Sequence, residues 1–135
     1  MDEAKRDEIR AWITKAAQDL GAAEWLLTSP DPFYSPVGFH CQQAAEKMLK
    51  AYLTWRDEPF EKTHSLVALV GKCLPFDAAF QALRVAATTL TPYAVNSRYP
   101  GDLMELTATE AKEALELARQ VQEFVLKLLP SEIQE

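Results

Sequence analysis

The sequence predicts an all-α fold: one domain over residues 1–135, an antiparallel up-and-down bundle of four to five helices. Three observations predict it. Apolar residues recur at three-to-four spacing over long stretches, as one buried helix face requires. Prolines and turn-forming residues fall between those stretches. No window shows the strict alternation of a half-buried strand, and no internal repeat is visible.

The first helix is expected over 3–28, where Ile9, Trp12, Ile13, Ala16, Leu20, Ala23 and Leu27 keep the period amid good helix formers. Residues 28–36 hold three prolines and read as a loop, with Ser35 and Pro36 opening the second helix. That helix runs to Thr54 or Trp55, with Cys41, Ala44, Ala45, Met48, Leu49 and Tyr52 on its core stripe. After a charged connector broken by Pro59, Thr63 or His64 opens a short third helix that turns Leu66, Leu69, Val70 and Cys73 inward. Residues 77–90 read as a fourth, capped by Asp77 and closed by Pro92. A loop with turn chemistry at Asn96-Ser97 and Pro100-Gly101 follows. The last helix begins near Thr107, carries Ala111, Ala114, Leu115, Ala118, Val121, Val125 and Leu128 in register, and ends at Pro130.

With 135 residues, the chain can build one hydrophobic core; 48% hydrophobic and 25% charged residues exclude disorder as the default. A net charge of −6 argues against a dedicated nucleic-acid binder, although a local basic patch is compatible with it. Cys41 and Cys73 lie far apart, each among apolar neighbours, and read as buried thiols in a reducing compartment. The charged N-terminus lacks the apolar run of a secretory signal, and no stretch approaches a membrane span, so a cytoplasmic location is expected.

No phosphate loop, dinucleotide fingerprint, zinc-protease motif or nucleophile elbow is present, and His40 and His64 stand too far apart to encode a metal pair; no metal or cofactor is expected. One constellation remains. His40, Gln43, Lys47 and Lys50 share a flank of the second helix, with Gln42 and Glu46 beside them; His64 stands near the third helix start; Tyr93, Arg98 and Tyr99 lie in the late loop. That flank is either an ordinary wet surface or a polar site. As ordinary positions, Lys47 would pair with Glu46 or Gln43, and His64 would cap backbone donors or pack on Trp55. As a site, arginine offers a planar fork for phosphate and tyrosine a face for stacking a base, which suits a nucleotide better than an apolar ligand.

Gln42-Gln-Ala-Ala-Glu-Lys47, Thr63-His64 and Arg98-Tyr-Pro100 occur in order with Ala17-Gln-Asp-Leu20 and Ala23-Glu-Trp-Leu26 before them. In these pieces, spread over nearly the whole chain, the sequence resembles the HEPN domain (higher eukaryotes and prokaryotes nucleotide-binding). The resemblance implies a helical bundle that dimerises. Many members are metal-independent ribonucleases marked by an arginine followed, four to six residues on, by a histidine. Here Arg98 is followed by no histidine, and none occurs after residue 64. Ribonuclease activity is therefore not expected, and no residue is assigned as catalytic.

The resemblance points instead to the branch related to the helical half of aminoglycoside nucleotidyltransferases. That branch implies a non-catalytic homodimer that binds a nucleotide such as ATP, or partners a minimal nucleotidyltransferase subunit, with RNA a less favoured ligand. By similarity Lys47, His64, Arg98 and Tyr99 contact the nucleotide, flanked by His40, Gln43, Lys50 and Tyr93. The alternatives are a ribonuclease with a displaced catalytic histidine and a purely structural interaction module. Trp12, Trp25, Trp55, Phe33, Phe60 and Phe80 are many large rings for a thin bundle to cover alone, which agrees with a dimer.

Overall fold

The computed structural model describes residues 1–95 and 105–134. Asp2 opens helix α1 (Glu3–Thr28) by accepting a hydrogen bond from the Lys5 backbone N–H at 2.7 Å, which satisfies one of the free donors of the first turn. Ile9, Ala16, Leu20 and Ala23 are buried along one face, and the helix has the bounds its periodicity predicts.

Helix α2 (Tyr34–Trp55) is the centre of the bundle. Its apolar stripe is buried, and so are Gln42, Glu46 and Lys50. The reason is topological: α1, the third helix and the last long helix all pack against it, so most of its circumference is covered. A single core stripe with a wet flank does not describe it. At its C-terminus Asp57 takes a left-handed conformation (φ 56°), the Asp57 N–H donates to the Thr54 carbonyl and the Glu58 N–H to that of Leu53. This pairing is a Schellman closure, with aspartate in the place glycine usually takes. Asp57 also accepts from Lys5 Nζ at 2.9 Å, tying the end of α2 to the start of α1.

The third helix, α3 (Leu66–Cys73), starts later than Thr63 or His64, because Ser65 is the cap and accepts from the Ala68 N–H. The predicted fourth helix divides into a 3-10 segment, Ala78–Leu83, and helix α4 (Arg84–Leu90). Buried Phe80 and Leu83 fall three residues apart, the period of the tighter helix. Asp77 caps it through the Ala79 N–H. A 3-10 turn, Thr91–Ala94, leads away. Helix α5 (Ala108–Leu128) opens on a full capping box between Thr107 and Glu110. Beyond Pro130 a last turn, α6 (Ser131–Gln134), buries Ile133, and Arg10 donates to the carbonyls of Glu132 and Ile133. The described residues thus form six α-helices and no strand.

Phe80 sits at the centre of the core with its ring edge-on to Tyr52 (centroids 4.6 Å) and Phe124 (4.9 Å). Trp12, Trp55 and Phe60 pack against the core, whereas Trp25 and Phe33 remain exposed. Gly38 permits a close approach on α2: a Cβ there would stand 2.4 Å from Leu106 Cδ1 and 3.2 Å from the Tyr93 ring. Ser35 works beside it, donating to Glu105 and accepting from the Leu106 N–H. The residues on both sides of 96–104 are therefore fastened to the first turns of α2. Among the described residues no helix is long and apolar enough to cross a membrane.

Candidate functional site

The polar flank of α2 faces α1 and the connector before α3, and two carboxylates organise it. Asp19, on α1, accepts from Lys47 Nζ through Oδ2 and lies 2.9 Å from His40 Nδ1 through Oδ1. All three side chains are mostly covered. Lys47 therefore pairs across the helix interface rather than with Glu46 or Gln43.

The second cluster is more enclosed. Glu46 Oε2 accepts from Lys50 Nζ at 2.9 Å; Oε1 is bonded to His64 Nδ1 at 2.8 Å and accepts from Gln42 Nε2 at 3.2 Å. Gln42 Nε2 also donates to the His64 carbonyl at 2.8 Å, and Gln43 donates to Gln42 Oε1 at 2.7 Å. Lys50 Nζ lies 5.6 Å from the ring centroids of both Trp12 and Phe60, so two aromatic faces supplement its carboxylate. His64 neither caps a helix nor packs on Trp55: its ring turns back onto Glu46.

Burial alone pushes the Glu46 carboxyl up, but hydrogen bonds from His64, Lys50 and Gln42, with the Lys50 charge, outweigh it and hold the group below its ordinary value. An ionised carboxylate only accepts, so His64 donates to it from Nδ1, on a side chain 68% exposed. With a depressed carboxyl, the stabilisation is present above the ordinary value of 4.5 and is lost as pH falls through the lower folded value. The urea midpoint is accordingly expected to drop with acid below that point in the wild type, and Glu46→Gln to flatten this part of the profile. Parallel profiles would show that Glu46 is not the group responsible.

The structure thus gathers His40, Gln43, Lys47, Lys50 and His64 on one side of α2, each already bonded to a partner within the bundle. Tyr93 lies against Gly38 near the start of the helix, its hydroxyl pushed up by burial and by the carboxylates of Glu110 and Glu113. Arg98 and Tyr99 lie outside the described residues. Cys41 and Cys73 are both fully buried, and no three His, Cys, Asp or Glu side chains among the described residues group as a metal site. The sequence reading missed Asp19 as a partner. The signal was there: an acid between Ala16, Leu20 and Ala23 sits on the edge of a buried stripe.

The family model of the HEPN domain matches residues 9–129. The crystal structure of TT1696 from Thermus thermophilus superposes with a TM-score of 0.78 at 32% identity, over 90% of this chain and 98% of that one. That of an archaeal HEPN homologue superposes with a TM-score of 0.69 over 89% and 96% of the two chains, and its 24% identity makes it a likeness of fold. Comparison with curated proteins gives no significant match.

Proposed function

We propose, from the premise that this chain belongs to the HEPN domain family, that it is a non-catalytic member that binds a nucleotide and works beside a minimal nucleotidyltransferase subunit. The observation that carries this reading is the sequence after Arg98, where the histidine of the family's ribonuclease motif is missing. The two histidines elsewhere are each bonded through Nδ1 to a carboxylate of the bundle. Arg98 and Tyr99 would supply the phosphate fork and the stacking face, with Lys47 and His64 as secondary contacts; a homodimer in the cytoplasm belongs to the same proposal.

One observation favours a second reading. A carboxylate that fixes one ring nitrogen of an accessible imidazole is how catalytic histidines are oriented, and Glu46 does this for His64. A calorimetric titration with ATP, in the wild type and in Arg98→Ala, tests the leading proposal. Heat in the first that is lost in the second is the expected result. A nucleotide-indifferent protein that neither dimerises nor co-purifies with a nucleotidyltransferase would overturn it. Cleavage of structured RNA that vanishes in Arg98→Ala would move the assignment to the ribonuclease.

A further inference from the structure

We propose that His64 is a phosphorylation site whose Nε2 accepts a phosphoryl group from a donor of the phosphoramidate class. The proposal rests on neither the nucleotide nor the ribonuclease reading. It starts from how the residue is held. The ring is fastened through Nδ1, which donates to Glu46 Oε1 at 2.8 Å, and the main chain through its carbonyl, which accepts from Gln42 Nε2 at 2.8 Å. Gln42 Nε2 also donates to that same carboxylate oxygen, so ring, backbone and carboxylate are locked together. On the far side Ser65 caps α3, and the Leu66 N–H donates to Thr91 Oγ1.

This anchorage is given to a side chain that stays 68% exposed. Ordering an exposed side chain costs rotamer entropy with little burial to offset it. Nor is His64 the sole partner of Glu46, which has Lys50 on its other oxygen and Gln42 on the same one. His40 supplies the contrast. It too is bonded through Nδ1 to a carboxylate, that of Asp19, but its side chain is mostly covered and its ring stands edge-on to Phe39.

The chemistry follows from the fixed proton. With Nδ1–H donating to the carboxylate, the neutral ring keeps its lone pair on Nε2, which has no hydrogen-bond partner among the described residues. That lone pair attacks phosphorus: the Nε2–P bond forms, the P–N bond of the donor breaks, and ammonia leaves with the protons it carried. Positive charge builds on the ring during the attack, and the Glu46 carboxylate on Nδ1 stabilises it. Lys50 offsets the charge of Glu46 and so reduces its repulsion of an anionic donor. The Nδ1–H stays in place throughout, so the phosphorylated residue keeps the same anchorage.

The test is incubation of the native protein with potassium phosphoramidate at neutral pH, followed by mass spectrometry of its peptides and phosphorus–nitrogen NMR. One acid-labile phosphoryl group should appear on His64 Nε2, faster than on either histidine of the urea-unfolded chain, with His40 unmodified. His64→Gln should abolish it. Glu46→Gln should slow it by about tenfold or more, the usual loss when the group orienting a functional histidine is removed. Circular dichroism checks that Glu46→Gln folds; if it does not, the native-against-unfolded comparison in the wild type decides. No label, a rate no faster than in the unfolded chain, phosphorus on Nδ1, or equal labelling of His40 overturns the proposal. So does an unchanged rate in folded Glu46→Gln.

Discussion

Replacing Glu46 by alanine is expected to cost about 3–5 kcal/mol of folding stability, the loss typical when one member of a buried ion pair is removed. The reason lies less in the pair's net strength than in what is left behind. Lys50 Nζ would keep two aromatic faces but no carboxylate, and Gln42 and His64 would each lose an acceptor. Water reaches Lys50 poorly, because its side chain is almost wholly covered. A single domain is stable by about 5–15 kcal/mol, so the variant should fold yet unfold at a much lower urea concentration, with an unchanged slope. Adding Lys50→Met should recover much of the loss, since it removes the stranded charge and leaves an unbranched chain between Trp12 and Phe60. If Glu46→Ala shifts the midpoint no more than an exposed i,i+4 pair would, the cluster is solvated and the enclosed picture of α2 is wrong.

Phe80→Ala should cost a similar amount, about 3–5 kcal/mol, through a different mechanism: transfer of the ring's surface to water and a cavity between Tyr52 and Phe124. Collapse of that cavity is hindered on both sides, because each neighbouring ring is held elsewhere. Tyr52 is edge-on to Trp55 and Phe76 and lies beneath the Arg56 guanidinium, while Phe124 belongs to the long helix α5. Phe80→Leu keeps most of the volume and should cost less than half as much. Chemical denaturation of the three proteins measures this; equal losses for leucine and alanine would mean that ring geometry, rather than filled volume, matters.

Local signals were legible in the sequence wherever the physics is local. Asp2 and the Thr107–Glu110 box sit where their side chains reach their own helix, so the starts of α1 and α5 can be read directly. The 3-10 segment was not read, because a three-residue spacing of Phe80 and Leu83 also fits an α-helix until the neighbours that bury them are known. The start of α3 was misplaced for a related reason. His64 is spent on Glu46, eighteen residues upstream, and Ser65 takes the cap. The same holds for the polar flank. Glu46 and Lys50 are visibly one turn apart, but their burial depends on Trp12 and Phe60 arriving from outside the helix, and Lys47 finds its carboxylate on α1. Membership of the family was legible in short motifs; pairing between distant elements was not.

The two cysteines carry a consequence for the chemistry of the whole chain. Burial pushes both thiols up to about 12; for Cys41 the charge of Asp19 adds to burial and Arg119 opposes it. At neutral pH neither supplies appreciable thiolate, the species that attacks disulfides and alkylating reagents. Their reactivity is therefore gated by opening of the fold, and they report on different parts of it: Cys41 on the central helix α2, Cys73 on the short helix α3. The protein carries two native clocks, each silent until its own helix lets solvent in.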